Sequence, residues 1–204
     1  MHIEVFSDIV CPWCYVEQAR LKQALAERSQ CRVSWLPFEL NPDMPPDGRN
    51  RLDYLRERFG DINFFLDSQK KLVKLGMSLN IKFRFDLIKR SPNTRRAHTL
   101  LTLAHQISPA IQNKLANDLF AAYFTYGLDI GDCKVLATLA DRNGISAAIA
   151  HDALKDKALS NRVIELEKMG RDWNVHGVPT FILNRKKIFS GAKSLQVFLQ
   201  AIDA

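Results

Sequence analysis

The first forty residues alternate between apolar and polar positions in a way that predicts a strand, a helix and a second strand. Residues 2–6 alternate and predict the first strand. Residues 12–28 are predicted to be helical, because proline is favoured at a first helical position and the apolar residues that follow share one face. Residues 32–38 alternate again. This order predicts a βαβ unit with parallel strands.

The middle of the chain has the apolar spacing of helices. Residues 41–48 hold a dense cluster of Asn, Pro, Asp and Gly, which predicts a loop. Glycines at 60 and 76 are expected to end helices, and Pro92 and Pro109 to open them. The predicted helices cover residues 52–59, 62–75, 92–106, 109–127, 132–143 and 146–157.

The end of the chain returns to a strand pattern. A helical face after Ser160 is followed by apolar runs at 180–183 and 188–190, which predict a hairpin, and by a final amphipathic helix near 195–202. The two ends together predict an α/β fold with one four-stranded sheet. We expect this domain to comprise residues 1–42 and 160–204, with residues 43–159 as an all-helical insertion domain.

Composition supports an ordinary globular protein. Of 204 residues, 47% are hydrophobic and 25% charged, which excludes disordered, collagenous and coiled-coil chains. A signal peptide and an apolar run of membrane-spanning length are not visible, so we expect a cytoplasmic protein without membrane contact. A chain whose signal peptide had been removed would look the same.

The net charge of +7 is concentrated in one stretch. Residues 41–100 carry 13 basic and 7 acidic groups, a surplus of +6. This surplus is either a solvated face or a positive surface that attracts anionic substrates. If it serves the site, its basic residues are expected to face the cleft of Cys11. The known nucleic-acid-binding modules have aromatic and basic signatures that this chain lacks, so no nucleic-acid partner is expected.

The segment Cys11-Pro12-Trp13-Cys14 is the strongest chemical signal. A zinc site needs about four ligands, and Cys31 and Cys133 are isolated, so no metal is expected. After a strand and at the start of a helix, the spacing favours redox chemistry. The helix N-terminus stabilises a thiolate at Cys11, which we expect to face solvent and attack. Cys14, one turn inside, is expected to be buried and to resolve the mixed disulfide.

A second signal lies at His176-Gly177-Val178-Pro179-Thr180. Proline directly before an apolar strand lacks a donor for the ladder. A cis Pro179 at a tight entry to the strand explains this position, because the cis form costs X–Pro bonds little. His176 is expected to be a surface or packing residue, and His98 a core or boundary residue.

These motifs together resemble the DsbA-like thiol-disulfide oxidoreductases of thioredoxin fold. The similarity is greatest to the FrnE-type branch, which is grouped with the 2-hydroxychromene-2-carboxylate isomerases. Further matching stretches are Pro37–Pro45, Ser91–Thr94 with Ala97-His98, Leu119-Phe120 with Ala122–Phe124, Asp129-Ile130 and Gly191-Ala192.

The resemblance implies a thioredoxin-like four-stranded sheet, dithiol–disulfide exchange, and a cis-Pro179 loop beside Cys11. In this family the loop offers the backbone of Val178 to an extended substrate. The expected catalytic residues are therefore Cys11, Cys14 and Pro179, with Trp13 as an exposed substrate contact. Protein or small-molecule thiols and disulfides are the expected partners, and the direction of exchange stays open, as does the choice between monomer and homodimer.

The rival interpretation is a glutathione-dependent isomerase or a kappa-type transferase. Those relatives usually carry serine where this chain has Cys11, which favours redox exchange here. No permanently bound cofactor is expected, but glutathione is a candidate co-substrate. Asn41, Asn93 and Thr94 lie in motif-matching loops and are candidates to line its pocket. The alternative roles are a turn at Asn41 and first-turn helix positions at Asn93 and Thr94.

Overall fold

The computed structural model describes residues 1–26, 28, 30–60, 62–191, 193 and 195–202. The strands run over His2–Ser7 (β1), Arg32–Pro37 (β2), Arg49–Asn50 (β3), Arg90–Ser91 (β4), Thr180–Leu183 (β5) and Lys187–Ser190 (β6). The helices run over Pro12–Ala24 (α1), Arg51–Phe59 (α2), Ile62–Met77 (α3), Arg95–Ile107 (α4), Pro109–Phe124 (α5), Cys133–Arg142 (α6), Ala147–Lys155 (α7), Lys157–Asp172 (α8) and Leu195–Ile202 (α9).

A four-stranded sheet in the order β2-β1-β5-β6 joins the two ends of the chain. Strands β1 and β2 are parallel, with Ile3 opposite Val33, and β5 runs antiparallel to β1. The βαβ unit, the terminal hairpin and the four-stranded sheet predicted from the sequence are thereby confirmed. Residues 43–159 are mainly helical, but they also contain the short pair β3–β4. In the Gly191-Ala192 motif, Ala192 lies outside the described residues.

Several helix boundaries predicted from the sequence are wrong. Helices α1 and α5 end earlier than predicted, at Ala24 and Phe124. Helix α4 begins at Arg95 and not at Pro92, since Arg90–Ser91 pairs with Arg49–Asn50 in a small second sheet. The residue before a proline is disfavoured in the helical region, so Ser91 stays extended. Helix α3 continues through Gly76 to Met77.

Gly76 therefore has a packing role and does not end its helix. A Cβ atom there would lie 2.7 Å from the Phe83 ring and from the carbonyl oxygen of Ile81. Only glycine permits this close approach. The helix thus tolerates the residue that the sequence pattern took as its end.

One hydrophobic core connects the sheet with the helical segment. Tyr15 of α1 stacks on Phe120 and Phe124 of α5, with ring centroids 5.3 and 5.9 Å apart, and meets Phe83 edge to face. Trp35 of β2 also packs edge to face on Phe120. The helix that begins with the Cys-Pro-Trp-Cys segment is therefore held by the helical segment as firmly as by its own sheet.

The proposed division at residue 160 falls inside α8. This helix is capped at Asp156, whose carboxylate accepts hydrogen bonds from the backbone N–H groups of Ala158 and Leu159. Helix α8 packs on α4 and on β2. We retain residues 1–42 with 160–204, and 43–159, as a proposed division of a continuously packed chain.

Within the described part of the chain, every helix is too short or too polar to span a bilayer.

Gly170 tests the packing of α8 on the sheet. A Cβ atom at this position would lie 2.5 Å from the ring of Phe6, which is fully buried and meets Trp173 edge to face. We expect Gly170→Ala to lower the free energy of unfolding by about 1–2 kcal/mol, since overpacking outweighs the helix preference for alanine. Denaturant unfolding measures this change. Lys168→Ala, at an exposed position of α8, is the control, and an equal effect of both variants would contradict the packing argument.

Candidate functional site

Cys11 is the N-cap residue of α1, with an extended backbone at φ −88° and ψ 112°. Its N–H donates to the carbonyl oxygen of Asp8 over 3.0 Å, and its own carbonyl oxygen accepts from the N–H of Cys14 over 3.1 Å. Pro12 follows at the start of the helix, where the missing donor costs nothing. The local sequence therefore places the Cys11 sulfur at the positive end of a helix.

The burial of the two thiols differs in part from expectation. Cys14 is 1% exposed, as its position one turn inside the helix predicts. Cys11 is 6% exposed, so the expectation that it faces solvent is wrong. The cause is a tertiary contact: the carbonyl oxygen of Val178 lies 4.0 Å from the Cys11 sulfur and covers it. A substrate must therefore reach Cys11 at the edge of this loop.

The environment separates the acidities of the two thiols. A hydrogen bond from the Cys14 side chain lowers the pKa of Cys11, against the opposing effect of burial, and backbone N–H groups of Trp13 and Cys14 add to the lowering. Burial raises the pKa of Cys14 well above its ordinary value, and the neighbouring Cys11 raises it further. The Ser7 hydroxyl and the Asp8 backbone offset this only in part. Cys11 is thus the thiol that ionises first.

The Pro179 loop comes from the far end of the chain. The Val178–Pro179 peptide bond is cis. Thr180 Oγ1 donates to the carbonyl oxygen of Gly177 over 2.7 Å, and the N–H of Gly191 donates to the carbonyl oxygen of Pro179 over 2.9 Å. These bonds anchor the loop at both sides of the buried Pro179. Residues 167 positions apart in the sequence are in this way held against each other.

A cavity of about 320 Å³ opens beside Cys11. Its lining comes from the cysteine loop, the segment after β2, helices α2, α3 and α5, and the approach to α4: Val10, Pro12, Leu40, Asn41, Met44, Arg51, Tyr54, Leu55, Arg58, Phe59, Phe65, Ser91, Pro92 and Tyr123. Among the described residues this lining contains two guanidinium groups and no carboxylate. The cavity therefore suits a ligand that is part apolar and part anionic.

The polar groups of the cavity are arranged around two tyrosines. Tyr54 donates its hydroxyl hydrogen to Asn41 Oδ1. Arg51 donates to the hydroxyl oxygen of Tyr123 over 2.9 Å. Burial raises the pKa of Tyr123 to about 12, so this hydroxyl keeps its proton and donates a hydrogen bond to the main-chain carbonyl oxygen of Arg90 over 3.3 Å. The guanidinium of Arg51 is held in a fixed position at the cavity wall.

Of the other predicted site residues, the structure places some near Cys11 and others away from the cavity. Trp13 is 41% exposed, and Val178 is half-buried at the Cys11 sulfur. Asn93 and Thr94 are absent from the cavity lining. Asn93 instead donates to the carbonyl oxygen of Met44 over 2.6 Å and accepts from the Arg95 N–H, and Thr94 is buried. The alternative of first-turn helix positions is also wrong, because α4 begins at Arg95, with Thr94 as its N-cap residue and Asn93 before it. The hydrogen bonds of Asn93 tie the segment before α4 to Met44.

The basic surplus of residues 41–100 does not form one surface at the site. Arg51 and Arg58 line the cavity beside Cys11. Many other basic groups of this stretch pair with acids elsewhere: Arg49 with Glu57, Lys70 with Asp67, Arg84 with Asp86, Arg90 with Asp129 and Arg95 with Glu39. None of these five paired residues lines the cavity, so the expectation that the surplus faces the Cys11 cleft is wrong for them. The reason is where the tertiary structure places each segment, which charge counts do not show.

A larger groove of about 750 Å³ lies between α1, β2 and α5. Cys31 lines this groove. Neither Cys11 nor Cys14 lines the groove or the smaller cavity, but Val10 and Pro12, the chain neighbours of Cys11, line the smaller cavity. The smaller cavity is the candidate site for this reason. Groups of three or more potential metal ligands are not found among the described residues.

The separated acidities predict selective labelling of Cys11. At neutral pH, iodoacetamide is expected to modify Cys11 of the reduced protein while Cys14 stays unmodified, because alkylation requires the thiolate. The rate at Cys11 is expected to rise with pH around a midpoint below that of a cysteine in a model peptide. Peptide mass spectrometry after timed labelling measures both sites. Equal labelling of Cys11 and Cys14 in the folded protein would contradict the assignment.

The chain matches known proteins over nearly its whole length. The family model of the DSBA-like thioredoxin domain matches residues 2–203. The probable DsbA oxidoreductase SCO1869 from Streptomyces coelicolor superposes with a TM-score of 0.89 at 29% identity, covering 99% of this chain and 88% of that chain.

Two more distant solved structures share the fold. A 2-hydroxychromene-2-carboxylate isomerase gives a TM-score of 0.77 at 18% identity, covering 100% of this chain and 95% of that chain. The cytosolic disulfide reductase DsbM from Pseudomonas aeruginosa, in a structure with glutathione, gives a TM-score of 0.66 at 19% identity, covering 100% of this chain and 95% of that chain. The fold, the strand order and the family match agree: this chain belongs to the DsbA-like thioredoxin-domain family.

Proposed function

We propose that this protein is a thiol–disulfide oxidoreductase in which Cys11, Cys14 and Pro179 are the catalytic residues. The observation that carries the proposal is the pair of thiols with opposite pKa shifts at the start of α1. A thiolate that forms readily, next to a thiol held protonated, is what exchange requires. The resemblance of Cys11-Pro12-Trp13-Cys14 to the motif of this family points the same way.

The proposed reaction has two exchange steps. The Cys11 thiolate attacks one sulfur of a substrate disulfide, so a Cys11–substrate disulfide forms and the other substrate sulfur leaves as a thiolate. Cys14 then gives up its proton to solvent or to the departing thiolate and attacks the Cys11 sulfur. The Cys11–Cys14 disulfide forms, and the second substrate sulfur leaves. The substrate gains two electrons that the dithiol loses, and oxidation of a substrate dithiol is the reverse sequence.

The loop of Val178 and the exposed indole of Trp13 are proposed to hold the substrate. The Val178 carbonyl oxygen already accepts the Cys11 thiol as a donor over 4.0 Å, so an extended chain alongside this loop would bring its sulfur near Cys11. Leu40 and Phe59 line the cavity and are 38% and 51% exposed, and Trp13, next to Pro12 of the lining, is 41% exposed. An apolar segment of a client protein fits these exposed apolar side chains.

A glutathione-dependent isomerase or transferase is the second candidate function. The cavity beside Cys11 favours this function, because its lining combines Arg51, Arg58 and Asn41 with apolar side chains and, among the described residues, contains no carboxylate. Glutathione is an anionic thiol, and DsbM of the same fold is described with it. In this candidate function, glutathione is a co-substrate activated at Cys11, and Cys14 is dispensable. A cytoplasmic location is part of the proposal, supported by the cytosolic DsbM.

Cysteine replacements separate the two functions. Cys11→Ser is expected to reduce exchange with a model protein disulfide to the uncatalysed rate, since serine is not ionised at neutral pH. Cys14→Ser is expected to abolish net oxidation of a reduced protein dithiol but to trap mixed disulfides at Cys11. Insulin reduction and refolding of a reduced disulfide protein in glutathione buffers measure these rates.

The control for the cysteine variants is Cys133→Ser, a half-buried thiol outside the site. Exchange at the parent rate in Cys11→Ser would refute the proposed mechanism. If glutathione-dependent isomerisation proceeds unchanged in Cys14→Ser, the second function replaces the first.

The cavity arginines predict a charge preference among small thiols. Arg58→Met is expected to raise the KM for glutathione about two- to fivefold, which is the size of effect that a solvent-accessible charge contact has. The KM for an uncharged thiol is expected to stay unchanged. Arg56→Met is the matched control, because Arg56 is exposed on the same helix and does not line the cavity. Steady-state kinetics with both thiols measure the effect. Equal changes for charged and uncharged thiols would show that the cavity does not recognise the anion.

A further inference from the structure

A buried pair of ionisable side chains lies close to Cys11 and takes no part in the exchange steps above. Asp8 follows β1 and is 0% exposed, and His98 on α4 is 2% exposed. His98 Nε2 lies 3.4 Å from Asp8 Oδ1 and makes no hydrogen bond among the described residues. A buried nitrogen without a hydrogen bond lowers stability, so the pair is retained at a cost.

Asp8 connects the cysteine loop with one wall of the cavity. Its Oδ2 atom accepts a hydrogen bond from the N–H of Leu40 over 2.7 Å, and its main-chain oxygen accepts from the N–H of Cys11 over 3.0 Å. Leu40 and Asn41 line the cavity beside Cys11. Asp8 therefore contacts both the cysteine loop and the adjoining wall, the first through its main chain and the second through its carboxylate.

A second buried carboxylate lies next to this pair. Glu39, whose side chain is fully buried, accepts from Arg95 Nε over 2.7 Å, and its N–H donates to Glu167 Oε1 over 2.6 Å. Burial raises the pKa of Glu39, while the hydrogen bond from Arg95 and the charge of His98 oppose this shift. The carboxylates of Asp8 and Glu39 are thus each buried beside a nitrogen base, His98 and Arg95.

We propose that Asp8 and His98 are positioning residues of the exchange reaction: the Asp8 carboxylate acts on the Cys11 thiol three residues further along the chain, and the His98 imidazole, 3.4 Å from Asp8 Oδ1, modifies that action. The inference rests on the proposed function, since it names groups that adjust the same thiol. The ionisable and charged groups that face the pair are Cys11 and Cys14 from α1, Tyr54 from α2, Arg95 from α4, Tyr123 from α5, Glu39 after β2 and Glu167 from α8.

The charge of Asp8 determines in which direction this residue changes the pKa of Cys11. The hydrogen bond from Cys14 lowers the pKa of Cys11 most, but the negative charge of Asp8 acts in the opposite direction. Removal of the Asp8 charge makes the Cys11 thiolate easier to form. A stabilised thiolate stabilises the reduced dithiol, so the Cys11–Cys14 disulfide becomes a stronger oxidant. Loss of His98 exposes Cys11 to the full charge of Asp8 and has the reverse effect.

Titration of the Cys11 thiolate tests the pair without any turnover. The ultraviolet absorbance of the reduced protein minus that of the oxidised protein reports the thiolates of the Cys11/Cys14 pair as pH changes. Asp8→Asn is expected to lower the midpoint by about one pH unit, the effect of removing one nearby like charge. The equilibrium constant with glutathione is expected to shift about tenfold toward the reduced protein, which is about 30 mV for a two-electron couple.

His98→Gln is expected to raise the midpoint in the presence of Asp8 and to have no effect in the Asp8→Asn background. Glu17→Gln is the matched control, because Glu17 is also a buried carboxylate, on α1, paired with Arg20 over 2.6 Å and outside the cavity lining. Its midpoint is expected to equal that of the parent. Far- and near-ultraviolet circular dichroism monitor folding of each variant.

An unchanged midpoint in folded Asp8→Asn, or an equal shift in Glu17→Gln, would overturn the inference. If Asp8→Asn does not fold, His98→Gln decides alone, and an unchanged midpoint there overturns it as well. The outcome is independent of the proposed function. A parent without exchange activity whose titration still responds to Asp8→Asn refutes the function only, whereas an active parent with an unresponsive titration refutes the inference only.

Discussion

The stacking of Tyr15 on Phe120 and Phe124 fixes the helix that carries the two thiols of the site. Helix α1 shares one hydrophobic core with the strands of the sheet. The aromatic stack adds a second support for this helix from α5. Aromatic pairs of this kind stabilise by about 0.5–1.5 kcal/mol beyond their buried area. The orientation of α1 decides where the Cys11 sulfur lies relative to the Pro179 loop, so the site depends on this contact between distant parts of the chain.

Burial then has opposite consequences for neighbouring groups. At Cys14 it is the largest effect and holds the thiol protonated, whereas at Cys11 the hydrogen bond from Cys14 outweighs it. Near them, Asp8, His98 and Glu39 are buried, and among the described residues His98 Nε2 and Glu39 Oε1 make no hydrogen bond. A fold that tolerates such groups at one end of its sheet gives up stability there. Functional sites are where this loss is usually found.

The sequence predicted most of the fold, because hydrophobic periodicity reports which faces are buried. It failed where contacts between distant segments override local preference. Pro92 resembles a helix start, but its neighbours Arg90–Ser91 pair with Arg49–Asn50. Gly76 resembles a helix end, but it makes room for Phe83. The charge surplus of residues 41–100 suggested a single positive surface at the site, but of its described basic side chains only Arg51 and Arg58 line the cavity beside Cys11.

The sequence by itself determined the βαβ start, the terminal hairpin, and the position of Cys11 at a helix N-terminus, because each depends on residues close together in the chain. The tertiary structure decided that Val178 covers the Cys11 sulfur, that Arg51 and Arg58 line the adjoining cavity, and that Asp8 meets His98. These contacts join segments whose separation in the sequence carries no periodic signal. Packing against a common core brings these segments together. Local patterns in the sequence do not show which distant segments share that core.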